Sequence, residues 1–379
     1  MRDIRIDRLA HLLTHYSLEA KKGQYAVLSG DVEALPLMEA CFEKLTQAGV
    51  FVETFITPSA WSETRLREGS DALLKKTPPA LLHAVMNCDL YLGIGAESNT
   101  KLLANISPEK QTLVSKARKP IIDALLNRAA KKEVRWAYTH FPTPSAAQEA
   151  EMGTREYEEM VFSLGALDHK DPIEYWKTIE KEQLKLIDFL STKHKLRFQN
   201  SQGTDLEVNV SGMKWVNCCG KINFPDGEVY TGPNLLAEDG GVNGVAKFSF
   251  PTLFRNTEVR DIELYFKNGA VVDAKASKGE AFLKEMINQD EGAKYVGEIA
   301  IGTNANMKNI TKNILFDEKF GGTFHLALGK GYPQTGNNNE SALHWDMIFD
   351  LREGGSITAD DACFYRDGKV LDEEVGVKR

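Results

Sequence analysis

Hydrophobic and polar positions alternate in two different ways along this chain. Up to about residue 192, several segments repeat apolar residues at helical spacing, and short apolar runs separate them. The runs predicted to be strands lie at 25–29, 50–56, 89–93 and 134–139, and the predicted helices at 4–20, 32–48, 79–87, 109–132 and 173–191. Strands that alternate with helices in this way are typical of a parallel sheet flanked by helices. We therefore expect an α/β domain over 1–192 with a mostly parallel sheet.

Short strands dominate the chain after residue 193. The predicted strands lie at 195–199, 205–210, 245–250, 259–266 and 270–277, and one helix is predicted at 279–288. The pairs Asn268-Gly269 and Asp367-Gly368 between such runs indicate hairpins, because tight two-residue turns favour residues that accept positive φ. We expect a second domain over 193–379, of α+β class with largely antiparallel strands. A chain of 379 residues is also long for one hydrophobic core.

Two predicted strands near the C-terminus each have one apolar face and one face with metal-ligand residue types. The apolar face of the later strand is formed by Leu343, Trp345, Met347 and Phe349. Alternate side chains of a strand share a face, so His344 and Asp346 point together to the other side. In the earlier strand His325 lies opposite the face of Phe324 and Leu326. A metal site would explain both polar faces.

Three further residues of the second half belong to the candidate ligand set. Glu298 lies in the middle of an otherwise apolar strand, where a carboxylate is costly unless it is paired, protonated or metal-bound. Glu228 follows a tight turn, and Tyr332 follows His325 by seven residues. Taken singly, Tyr332 is explained by packing and Glu228 by solvation. The whole set, on strands and turns of one half of the chain, predicts a metal site.

Composition and charge exclude several classes of function. The formal net charge is −8 and no basic run stands out, so we expect no nucleic-acid partner. The charged N-terminus lacks the apolar core of a signal peptide, and no apolar run is long enough for a membrane span, so we expect a cytoplasmic protein without a membrane partner. Five scattered cysteines are not a disulfide framework. The short Gly93-Ile94-Gly95 motif lacks the third glycine of a dinucleotide loop.

Four motifs carry a resemblance to a known family. They are GEVYTGP at 227–233, VGEIAIGTN at 296–304, GGTFHLALGKGYP at 321–333 and NESALHWDM at 339–347. Together they resemble the aminopeptidase T/aminopeptidase S family of dinuclear metallo-aminopeptidases. The resemblance covers essentially the whole chain and is most specific across 213–350. The loop between Tyr332 and His344 is short for the family. Whether that loop carries a substrate contact therefore stays open.

The resemblance implies a site, a reaction and partners. The family's metal ligands fall on Glu228, Glu298, His325, Tyr332, His344 and Asp346. The implied activity is hydrolysis of the N-terminal residue from peptides by a water that bridges two divalent ions, with Glu228 and Glu298 as candidate catalytic carboxylates. The mixed nitrogen and oxygen donors suit zinc, cobalt or manganese without choosing among them. Peptides with a free N-terminus are the implied substrates, and a homodimer is the implied assembly.

Two other functions remain open from the sequence. A mononuclear Fe(II) ring-cleaving dioxygenase of similar fold would need only two histidines and one carboxylate, available as His325, His344 and Asp346. Such a site leaves Glu228, Glu298 and Tyr332 without a role. A non-catalytic binding protein on the same scaffold is the third possibility, although we would expect it to have lost a ligand.

Overall fold

The chain forms two compact units. A computed structural model describes residues 2–255 and 257–375. One unit consists of Met1–Tyr175 with Gly220–Pro225, and the other of Trp176–Cys219 with Asp226–Arg379. The units divide within the first turn of the helix Pro172–Leu190. The sequence predicted a domain boundary near residue 193, just after this helix ends. That boundary stays a prediction.

The first unit is built on a five-stranded parallel sheet. In spatial order its strands are Phe51–Ile56, Tyr25–Gly30, Leu90–Gly95, Arg135–His140 and Asn223–Phe224. Its α-helices are Ile4–Leu12, Leu35–Gln47, Ser59–Glu68, Asp71–Leu74, Pro79–Asn87, Pro108–Ala130, Pro144–Glu149 and Thr154–Leu164. The strand Tyr25–Gly30 is fully buried at Val27 and Leu28, as expected where helices cover both faces of a sheet. The predicted parallel sheet flanked by helices is confirmed.

The second unit contains two larger antiparallel sheets. The first, called the site sheet below, has the spatial order His344–Asp350, Thr323–Gly329, Val296–Gly302, Glu228–Thr231 and Val216–Cys218. The second, called the eight-stranded sheet, has the order Ala270–Lys275, Glu263–Lys267, Val242–Lys247, Asp205–Asn209, Lys195–Gln199, Ser356–Ala359, Ala362–Arg366 and Lys369–Val370. Neighbouring strands in both sheets run antiparallel, so the predicted class of the second domain is confirmed.

A small sheet and several helices also belong to the second unit. Thr252–Phe254 pairs with Thr257–Val259 in a small separate sheet. The helices are Glu280–Ile287, Ile314–Asp317, Asp372–Val375 and, from Trp176 onward, Pro172–Leu190. Among the residues that the structure describes, no helix has both the length and the apolar character needed to cross a membrane.

The core of the second unit lies between the site sheet and the eight-stranded sheet. The rings of Phe198 and Phe324, one from each sheet, have centroids 3.8 Å apart. Trp345 is 1% exposed and stacks on Phe254 at 4.8 Å. Only one face of the site sheet is used in this core, because side chains alternate along each strand. The other face is left for the polar residues.

Candidate metal centre

A β-bulge lies directly before Glu298, whose side chain points to the polar face of the site sheet. Val296 lies opposite Leu328, but Glu298 lies opposite Ala327, so the pairing shifts by one residue between them. Glu298 points away from the core because the next residue, Ile299, enters it, and the shift allows Val296 to enter the core as well. Gly297 occupies the bulge, where a Cβ atom would meet the carbonyl oxygen of Lys330 at 2.2 Å. The single carboxylate of this apolar strand is thus explained by backbone geometry.

Small residues on the polar face leave room for the candidate ligands. Ala327 lies between Glu298 and Asp346 in one row across three strands. In the next row Ala300 lies opposite His325. Alanines at these positions allow longer side chains from neighbouring strands to approach each other above the sheet.

Glu228, Glu298 and His325 form one cluster of ligand atoms. The Oε2 atom of Glu228 lies 3.4 Å from Nε2 of His325, and Oε1 of Glu298 lies 3.9 Å from the same nitrogen. One ligand atom from each of the three residues lies within 4.8 Å of the others. All three side chains are buried.

Glu298, His344 and Asp346 form a second cluster that shares Glu298 with the first. Nε2 of His344 lies 3.4 Å from Oε2 of Glu298 and 3.6 Å from Oδ1 of Asp346. The hydroxyl of Tyr332 lies 3.4 Å from the same nitrogen. Nδ1 of His344 lies 3.0 Å from the carbonyl oxygen of Lys330, to which it can donate its N–H. That contact leaves Nε2 available as a ligand.

The chemistry of these atoms fits a divalent cation. Among the described residues, the buried atoms Glu228 Oε2, His325 Nε2 and Asp346 Oδ1 have no hydrogen-bond partner. Buried polar atoms are normally paired, and a cation is a partner that carboxylate and imidazole atoms can share. The structure therefore brings together all six residues predicted from the sequence, with donors that can hold a metal.

The ligand groups shift one another's pKa. Burial would lower the pKa of His325, but Glu298 and Glu228 raise it to about 9. Burial would also lower the pKa of His344, but Asp346 and Glu298 raise it to about 10. For Glu298 burial acts to raise the pKa, and the two facing imidazoles lower it to about 2. Burial raises the pKa of Asp346 to about 6. A metal ion would take the place of the protons that these pairs share.

Four residues beside the cluster were not predicted from the sequence. They are Cys218, Asp226, Glu318 and Lys319. A carboxylate oxygen of Glu318 lies within 4.8 Å of ligand atoms of His325 and Asp346. Cys218 lies opposite Glu228 on the neighbouring strand. For Glu318 and Lys319 the signal available in the sequence was the charged run 317–319, shortly before the buried strand Thr323–Gly329.

Comparisons with known proteins find relatives along most of the chain. The family profile of the thermophilic metalloproteases, M29, matches residues 2–370. The chain is 27% identical to "Aminopeptidase T" of Thermus thermophilus over 96% of this chain and 95% of that protein. It is 29% identical to "Aminopeptidase AmpS" of Bacillus subtilis over 62% of this chain and 61% of that protein.

Two solved structures share the fold. Wild-type AmpT from Thermus thermophilus matches with a TM-score of 0.84 and 24% identity, over 97% of this chain and 99% of that one. The 2,5-dihydroxypyridine dioxygenase of Pseudomonas putida KT2440 matches with a TM-score of 0.57 and 13% identity, over 98% of both chains. The predicted family resemblance is confirmed by the profile match across the chain: this protein belongs to the M29 family of thermophilic metalloproteases.

Proposed function

We propose that this site holds two divalent ions that share Glu298. The proposed ligands are Glu228, Glu298, His325, Tyr332, His344 and Asp346. The observation that carries the proposal is the pair of overlapping clusters, Glu228–Glu298–His325 and Glu298–His344–Asp346. The two oxygens of one carboxylate face different imidazoles, which is the arrangement that a bridging ligand needs.

The proposed activity is release of the N-terminal residue from peptides. The predicted enzyme class, a metal-dependent aminopeptidase, is confirmed by the family match and by relatives that are named aminopeptidases. Two divalent ions would supply Lewis acidity and a bridging water of lowered pKa that attacks the peptide carbonyl. Zinc, cobalt and manganese all suit the mixed nitrogen and oxygen donors.

The residues of the chain would orient the ions and transfer the proton. A carboxylate must take the proton of the attacking water and return it to the leaving amine. Glu228 and Glu298 are the candidates predicted from the sequence. Glu318 joins them, because it faces His325 and Asp346 without belonging to the six proposed ligands. Its burial also raises its pKa, which favours a group that must hold a proton for part of the reaction.

The mononuclear dioxygenase is less well supported by the geometry. It would need His325, His344 and Asp346 around one iron. In the part of the chain that the structure describes, the two histidines belong to different clusters of three or more ligand atoms. Glu298 separates them and contacts both.

Metal content and peptide cleavage test the proposal together. Purified protein loaded with Zn²⁺, Co²⁺ or Mn²⁺ is assayed for ions per chain and for amino acids released from short peptides. The same peptides with an acetylated N-terminus are the control. We expect two ions per chain and release from the free peptides only. One tightly held iron with oxygen uptake on a hydroxypyridine would instead support the dioxygenase, and loaded protein without turnover would support a binding protein.

The proposed partners and location follow the family expectation. We propose that the substrates are peptides with a free amino terminus, that the protein forms a homodimer, and that it acts in the cytoplasm. Light scattering coupled to size-exclusion chromatography tests the dimer, since a mass near 42.2 kDa would mean a monomer.

A further inference from the structure

A buried lysine lies directly beside the proposed metal ligands. Nζ of Lys319 lies 2.5 Å from Oε1 of Glu228, 2.8 Å from Oε1 of Glu318 and 3.4 Å from Oδ1 of Asp226. The Lys319 side chain is only 3% exposed. A lysine is almost never buried to this extent unless it is paired. Here each of its three N–H groups has a carboxylate within reach.

The backbone fixes this lysine independently of its side chain. The carbonyl oxygen of Lys319 accepts a hydrogen bond from the backbone N–H of Asn304 at 2.9 Å. The Asn304 side chain donates to the carbonyl oxygen of Asp226 at 2.8 Å. Asn304 therefore ties the segment that carries Lys319 to the loop that leads into Glu228.

The ammonium occupies one oxygen of Glu228 and leaves the other directed at the ligand cluster. Oε1 of Glu228 contacts Lys319, whereas Oε2 lies 3.4 Å from Nε2 of His325. Among the described residues Oε2 has no hydrogen-bond partner. The contact with Lys319 thus limits Glu228 to one oxygen as a metal ligand.

The charge of Lys319 acts unequally on the two proposed ion positions. It contacts Glu228, which belongs to only one of the two proposed ion clusters, and among the described ion pairs it contacts neither Glu298 nor Asp346. A positive charge beside one ligand repels a divalent cation at that ligand more than at a more distant one. Coulomb repulsion of this kind is weakly screened in a buried site.

We propose that Lys319 is a positioning residue with two effects. It holds Glu228 so that only one of its oxygens is a metal ligand, and it weakens the binding of the ion at Glu228 and His325 relative to the other ion. This inference rests on the two-ion site proposed above. Its consequence is that the enzyme loses one ion before the other, and that the readily lost ion is the one next to Lys319.

Release of metal from the loaded enzyme tests this inference. Zinc-loaded enzyme is mixed with increasing amounts of a chromophoric chelator, and the zinc removed per chain is recorded for wild type, Lys319→Met and Lys319→Arg. We expect two release steps in the wild type. Lys319→Met should need at least tenfold more chelator for the first step with the second step unchanged, and Lys319→Arg should release zinc as the wild type does. Lys185→Met, on an exposed helix position, is the matched control for loss of a lysine charge.

The outcomes separate the inference from the proposal on which it rests. One zinc per chain in the wild type would overturn the two-ion site itself. Two zincs with a first step that Lys319→Met leaves unchanged, or with both steps weakened equally, would overturn only the role of Lys319. Should Lys319→Met fail to fold, Glu228→Gln decides the matter. That variant should lack the readily released ion, and loss of the tightly held ion would contradict the inference.

Discussion

The Oε2 atom of Glu298 lies 3.4 Å from Nε2 of His344, although a complete strand runs between the strands that carry them. The intervening strand contributes Ala327 opposite Glu298 and Gly329 opposite His344, and neither residue has a side chain large enough to block the approach. Because Ile299 enters the core, the preceding residue Glu298 points to the face of His344. The proposed bridge between two ions thus depends on strand alternation and on two small residues.

Glu298→Gln should abolish turnover while the protein remains folded. An amide cannot supply two anionic oxygens, so both proposed ion positions lose a ligand. We expect activity to fall by more than about a hundredfold, beyond the 10–100-fold loss typical of residues that only support a ligand. Metal per chain and rates of peptide cleavage are measured on the same samples, with exposed Glu291→Gln as the control. Full activity in Glu298→Gln protein of known metal content would rule out the shared-ligand role.

Tyr332→Phe should weaken metal binding at the cluster that contains His344. The phenol oxygen lies 3.4 Å from Nε2 of His344, and the ring packs edge-on to the imidazole at 5.2 Å. Phenylalanine keeps the ring packing and removes only the oxygen. We expect zinc to be released at lower chelator concentration from this cluster, with a thermal midpoint close to that of the wild type. Tyr265→Phe, whose hydroxyl bonds Glu263 on the eight-stranded sheet, should behave as the wild type in both measurements.

Neighbouring residues on one strand should separate stability from metal binding. Trp345 is 1% exposed, packs on Phe254 and donates its indole N–H to Thr252. Its replacement by alanine should cost about 3–5 kcal/mol of the free energy of unfolding, as large buried aromatics do. His344→Ala, one residue away on the opposite face, should lose metal and retain most of that stability. Urea unfolding of both variants under metal-free conditions checks this, and equal losses would contradict the assignment of faces.

The pattern of the sequence predicted the strands of the site and the direction of their side chains. Period-two alternation suffices where a strand is regular, and the strand His344–Asp350 follows it, with Trp345 and Met347 buried in the core. The six proposed ligands lie together because antiparallel pairing brings residues far apart in the chain to the same level of a sheet. The family motifs, more than the periodicity, indicated which residues form the ligand set.

The surroundings of the ligands could not be read from the pattern. Lys319 and Glu228 are 91 residues apart, and nothing local in either segment indicates an ion pair. A charged run such as 317–319 is normally solvated, whereas here Asp317 and Lys319 are both buried. The bulge at Gly297 depends on the pairing partner, so alternation alone could not show that Val296 and Ile299 both enter the core.

Asp317 should make the stability of the second unit depend on pH. This buried carboxyl accepts hydrogen bonds from the backbone N–H and the hydroxyl of Thr311, at 2.7 and 2.6 Å. Burial raises its pKa from 3.8 to about 7, and the Thr311 contacts only partly oppose that rise. Between these pH values the folded state holds a proton that the unfolded state has lost. The stabilisation is therefore complete below about pH 4 and is lost as pH rises through about 7.

Asp317→Asn keeps an acceptor for Thr311 and removes the ionisation. We expect the free energy of unfolding of the wild type, relative to this variant, to fall by about 1.4 kcal/mol for each pH unit between pH 4 and 7 and to level off above that. Urea unfolding of both proteins at the same metal content, at several pH values from 4.5 to about 8, measures the difference. Exposed Asp188→Asn should show a constant difference from the wild type. A constant difference for Asp317→Asn as well would mean that Asp317 stays ionised in the folded protein.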